Sequence, residues 1–105
     1  MKIIDAHCHI FPDKIAYKAA HSIGDFYGVP MYSPASAIAL LESGAQIQTD
    51  LFMVSSAATT PDQVYAINDF ISGQCKLHDK FYGLAAMHYQ LPDIEDELDR
   101  AIELG

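Results

Sequence analysis

Lys2-Ile3-Ile4-Asp5-Ala6-His7-Cys8-His9-Ile10-Phe11-Pro12-Asp13 is a short apolar run that ends in two histidines and a Pro-Asp turn. Apolar β-branched residues bounded by a turn signal predict a strand over residues 2–9. Side chains alternate along a strand, so Asp5, His7 and His9 are expected on one face. The two histidine Cα atoms then stand roughly 6.5–7 Å apart. Both rings can lean onto one cation at about 2.0–2.1 Å. A strand buried on both faces carries apolar residues throughout. Three polar residues on one face are costly unless something satisfies them, and a metal would. Any His-x-His is equally open to being an ordinary hydrogen-bonded pair. The position favours a metal: sites in α/β sheets lie at the C-terminal ends of strands. Cys8 points to the opposite face and reads as a small buried hydrophobe.

Outward from this strand, Asp13 starts a helix to about residue 23, with Ile15, Ala16, Ala19 and Ile23 inward and Gly24 as the stop. Residues 25–33, with Gly28, Pro30, Tyr27 and Tyr32, form an irregular excursion, either a lid over a site or a packed surface loop. Ser33-Pro34 opens a second helix that ends at Gly44. Residues 50–55 form an apolar strand. Ser55, Ser56, Thr59 and Thr60 follow it, as site lining or as ordinary loop residues. Thr60-Pro61-Asp62-Gln63 is a capping-box pattern for a helix to about residue 77, with Val64, Ile67 and Ile71 inward. Residues 81–88 read as a third strand. Pro92, Asp93, Glu95 and Asp96 open a last helix with acids at its positive end and Ile94, Leu98, Ala101 and Ile102 inward. The fold class is therefore α/β, a parallel (β/α) repeat. Residues 1–105 form a single domain at most.

Half of the residues are hydrophobic, enough for a core. A net charge of −8 argues against nucleic acid and anionic membranes as partners. Two cysteines make no disulfide framework, and no signal peptide or transmembrane run is present. A native N-terminus and a cytoplasmic location are the expectations. Neither a Gly-x-Gly-x-x-Gly pattern, a P-loop nor a Gly-x-Ser-x-Gly elbow occurs.

The run Ile-Ile-Asp-Ala-His-Cys-His-Ile-Phe-Pro-Asp resembles the opening of the amidohydrolase superfamily, in its amidohydrolase-related branch of metal-dependent hydrolases and nonoxidative decarboxylases. The sharp likeness covers about a dozen residues. It implies that the chain is the N-terminal part of a TIM (β/α)8 barrel, with His7 and His9 as metal ligands and Asp5 as a supporting residue. It implies a divalent metal, zinc first, and a small-molecule substrate. The reaction would be hydrolysis of an amide, ester or lactone, with decarboxylation as the alternative. Phe11 and His88 are candidates to line the site, whereas His21 and His78 read as solvated surface residues. Family members take further ligands and a catalytic aspartate from later strands, and a full barrel needs about 200–250 residues. The chain is thus expected to be incomplete and inactive alone. It would act as a homo-oligomer or by association with the missing barrel portion.

Overall fold

The computed structural model describes residues 1–105. Three strands, β1 (Ile4–His9), β2 (Leu51–Ser55) and β3 (Phe81–Gly83), form one parallel sheet in the order β1-β2-β3. Helices α1 (Asp13–Tyr27) and α2 (Ala37–Ala45) join β1 to β2, and α3 (Val64–Leu77) joins β2 to β3. The last helix, α4 (Ile94–Leu104), follows β3. The chain is α/β with its strands in sequential order, as the alternating pattern predicts.

Only one face of the sheet is covered. Cys8, Phe52, Val54 and Phe81 point into a core with Ile10, Ala37 and Ile71, and Leu40, Leu41, Ile67 and Phe70 close its margin. Phe52 and Phe81 meet edge to face at 5.9 Å. Fully burying a side chain of this size contributes roughly 1.5–3 kcal/mol, so this layer dominates stability. Gly83 lets α3 come close, since a Cβ there would lie 2.7 Å from Ile71 Cγ2 and 2.9 Å from Cys75 Sγ. On the other face, Ile4 and Tyr82 are exposed, and Leu51 and Met53 are half-buried.

Several boundaries differ from the sequence expectation. Helix α1 runs one turn further, to Tyr27, and stops at Gly28, whose φ of 66° is left-handed. Gly24 lies inside the helix and is buried: a Cβ there would stand 2.6 Å from the Val29 carbonyl oxygen. Its inward residues are Ala16, Ala20 and Gly24, and Ile15 is exposed. Helix α2 begins at Ala37, not at Pro34, because Ser36 Oγ accepts a bond from the Ala39 N–H at 3.1 Å and caps it. A 3-10 turn, Pro61–Gln63, precedes α3, and Gln63 Oε1 accepts from the Thr59 and Thr60 N–H groups.

Helix α4 turns a different side inward from the one its apolar spacing predicts. Glu97 is 1% exposed, whereas Leu98 and Ile102 face out. The Glu97 carboxylate is bonded by Asn68 Nδ2 at 2.8 Å and by Arg100 Nε at 2.7 Å. Those bonds compensate the burial of its charge. The Arg100 hydrogen bond holds Glu97 below the ordinary carboxylate range, against the opposing effect of burial and with help from Asn68. Tyr65 O–H donates to Asp93, and that bond first, then burial, pushes its pKa up to about 12. The α3–α4 seam is therefore polar.

Candidate functional site

His7 and His9 end β1 on the open face of the sheet, and both are exposed. Their Nε2 atoms converge to 3.1 Å. The rings meet edge to face with centroids 4.9 Å apart. Two imidazoles can approach this way only if one carries a proton between the nitrogens or both point at a shared cation. Two nitrogens 3.1 Å apart, each about 2.0–2.1 Å from a cation, subtend about 100° at it, close to a tetrahedral angle. The pair fits half of a metal site.

Ser55, at the end of β2, completes the local frame. It pairs with His9 across the sheet, and its Oγ lies 3.2 Å from His9 Nδ1. A proton on Nδ1 donated to Ser55 leaves Nε2 bare, the tautomer that a ligand requires. Burial, then the adjacent His7, lowers the pKa of His9 and favours its neutral ring. Of Ser55, Ser56, Thr59 and Thr60, only Ser55 reaches the pair. Ser56 Oγ donates to the Ile10 carbonyl and Thr59 bonds Gln63, so those two are loop fixtures.

Asp5 is not on the histidines' face. It pairs with Phe52, whereas Cys8 pairs with Val54, so three steps on β1 match two on β2. This irregularity carries an extra residue and breaks strict alternation. It sets Asp5 on the Phe52 side and leaves His7 and His9 on the other. The Asp5 carboxylate accepts from the His7 backbone N–H at 3.3 Å and bonds neither imidazole. It stiffens the turn of backbone under His7 and does not orient a ring.

Cys8 is buried in the core, as its place between the histidines predicts. Burial first, then its bond and charge interaction with Asp5, pushes the thiol up to about 12, and its side chain packs in the core with Ile10 and Val54. Burial likewise raises Cys75, and both thiols are free.

The third strand stops at Gly83, so His88 is no strand end. A buried amide interrupts the strand: Asn68 Oδ1 accepts from the Ala86 N–H at 2.7 Å and its Nδ2 donates to the Ala86 carbonyl at 3.1 Å. His88 Nδ1 accepts from the Gln90 N–H, and its ring stacks on Tyr89 at 4.8 Å. It does not join the pair. His78 lies half-buried against Phe81 at 5.1 Å, and the exposed His21 sits on Tyr17 at 4.6 Å. No group of three or more His, Cys, Asp or Glu residues converges on one point.

Phe11 lines an apolar cleft of about 340 Å³ between α1 and α3, with Ile15, Ile67 and Phe70. His9 instead borders a cavity of about 190 Å³ with Ser33, Pro34 and α2. The excursion after α1 thus runs beside His9, tied down by the Phe11 N–H to the Ala35 carbonyl at 2.8 Å. Tyr27, the last residue of α1, and Tyr32, within the excursion, both face solvent. No helix is long and apolar enough to cross a membrane. No protein-family model matches the chain, and no curated protein matches it.

Proposed function

We propose that His7 and His9 hold a divalent metal, zinc first, in a hydrolase site of amidohydrolase type. The observation that carries this is the 3.1 Å approach of the two Nε2 atoms at the end of β1. Ser55 steadies His9 from its far nitrogen. The metal supplies Lewis-acid chemistry at a carbonyl of an amide, ester or lactone. His7 and His9 position it, and Cys8 and Ile10 anchor their strand in the core. A catalytic zinc site usually takes three protein ligands. His7 and His9 are joined by no third His, Cys, Asp or Glu, so the third ligand and the acid/base group would come from later strands of the barrel.

The sheet supports the barrel part of this proposal. Strands in sequential parallel order with one bare face match three successive units of a (β/α)8 barrel. The bare face, with the histidines, would be the barrel interior. The longest polypeptide that carries this sequence is the right subject for the test, assayed with zinc against amides, esters, lactones and aromatic acids. The expected result is hydrolysis that His7→Ala abolishes. Carbon dioxide release would make the protein a decarboxylase instead, and turnover indifferent to His7→Ala would refute the proposal. The 105-residue chain alone is expected to be inactive.

A further inference from the structure

We infer that the cleft between α1 and α3 binds an uncharged apolar group of a small molecule, and that this molecule is the substrate of the histidine site. The inference names a substrate class and rests on the function proposed above. The cleft holds about 340 Å³, at the small end of the roughly 300–1,000 Å³ that small-molecule pockets have. Phe11, Ile15 and Ala19 line it from one side, and Ala66, Ile67 and Phe70 from the other. Helices that pack directly interdigitate their side chains. Here each side carries an alanine, Ala19 and Ala66, where a larger side chain would fill the gap.

The lining dictates an uncharged ligand. No Asp, Glu, Lys or Arg borders the cleft, although the chain has 14 acidic and 6 basic residues. A carboxylate or ammonium buried there would find no counter-charge. The polar members of the lining are already engaged: Ser56 Oγ donates to the Ile10 carbonyl, and Thr59 Oγ1 donates to Gln63 Oε1. Phe11 and Phe70 favour a ring, which can lie edge to face or offset against them. Gln63 Oε1 also accepts from the Thr59 and Thr60 N–H groups, so the loop from β2 into α3 is set before a ligand arrives.

The cleft is built from the chain that follows the C-terminal ends of β1 and β2, where the sites of (β/α) barrels lie. Phe11 follows His9 by two residues, so their Cα atoms are at most about 7 Å apart. Ser56 directly follows Ser55, whose Oγ lies 3.2 Å from His9 Nδ1. The bond from Ser56 to Ile10 ties the two segments together. The substrate class is therefore an amide or ester of a small uncharged apolar group, an aryl ring being the best fit.

The test is binding of acetanilide, an uncharged aryl amide, to the metal-free 105-residue chain, followed by NMR of its methyl groups. The expected result is shifts at Ile15, Ala19, Ala66 and Ile67, with Ile4 and Ile102 unmoved. Acetamide, which lacks the ring, and 4-acetamidobenzoate, which puts a charge on it, should bind at least tenfold more weakly. Ala66→Phe should weaken acetanilide binding at least tenfold. Ala66 is exposed, so circular dichroism should show the fold unchanged. The shift map is read on the unaltered chain and does not depend on that variant. In the longest polypeptide that carries this sequence, with zinc, Ala66→Phe should raise KM for acetanilide at least tenfold and leave that for acetamide unchanged. Shifts elsewhere, or binding indifferent to the ring, the charge or Ala66→Phe, would overturn the inference and leave the histidine site to its own test with His7→Ala. Binding in the cleft with KM indifferent to Ala66→Phe would overturn the link between the cleft and the histidines. Binding in the cleft with no hydrolysis of any amide, ester or lactone would refute the proposed function and the substrate assignment with it, while upholding the cleft as a binding site.

Discussion

Asn68→Ala should be among the most damaging single changes away from the hydrophobic core. The amide is 4% exposed and makes three hydrogen bonds, two to the Ala86 backbone and one to the Glu97 carboxylate. A neutral bond contributes about 0.5–1.5 kcal/mol net, and one to a charged group about 1.5–3 kcal/mol. Ala86 is half-buried and water can partly replace its two bonds, so their contribution falls at the low end. Glu97 is sealed and keeps only Arg100 after the change. The expected loss is about 3 kcal/mol. Urea unfolding followed by circular dichroism measures it. At a slope near 1–1.5 kcal/mol/M, the midpoint should drop by about 2–3 M. Hydrogen exchange at the Ala86 amide should rise in parallel. Asn68→Asp retains the acceptor for Ala86 but sets a second carboxylate against Glu97, so at neutral pH it should be no better than alanine. A loss under about 1 kcal/mol for Asn68→Ala, well below the contribution of three such bonds, would refute the reasoning. It would mean that the residues after β3 and helix α4 are held by something else.

Gly44→Ala should destabilise although alanine favours helices by about 0.5–1 kcal/mol. The new Cβ would fall 2.2 Å from Phe52 Cζ. Overpacking of this kind costs about 1–3 kcal/mol, so thermal unfolding should occur at lower temperature, and a rise would contradict the packing described. Glu97 should shape the acid limb of stability. Its pKa is lower folded than its ordinary 4.5, so its contribution is present above about pH 4.5 and lost as pH falls through the folded value. Glu97→Gln should flatten that limb, and parallel pH profiles for the two proteins would count against it.

The elements were legible where one local rule decided them. The apolar run of β2, the alternation of strands and helices, and the inward place of Cys8 follow from period and turn chemistry alone. Boundaries failed where tertiary contacts overrode a local signal. Gly24 carries the mark of a helix stop, yet it serves close packing, and the left-handed residue is Gly28. Alternation put Asp5 with the histidines, but an irregularity in pairing depends on the partner strand and leaves no mark in β1 itself. Residues 84–88 have strand composition, but a buried amide on α3 claims the backbone of Ala86. The sequence gives no sign that Glu97 is buried, because its partner Asn68 meets it only once α3 and α4 are packed. Ser55 had a weak signal, a hydroxyl at the strand end, which became specific only with the register that sets it beside His9.

The convergence of His7 and His9 on one cation is the claim on which the function rests. Nitrogen-15 NMR of the histidine rings, with zinc added stepwise, tests it most directly. The predicted result is that Nε2 of His7 and of His9 shift together on binding, while Nδ1 of His9 remains protonated toward Ser55 and His21, His78 and His88 stay unchanged. Zinc that shifts those three histidines, or none, and leaves the His7 and His9 rings as they were would contradict it.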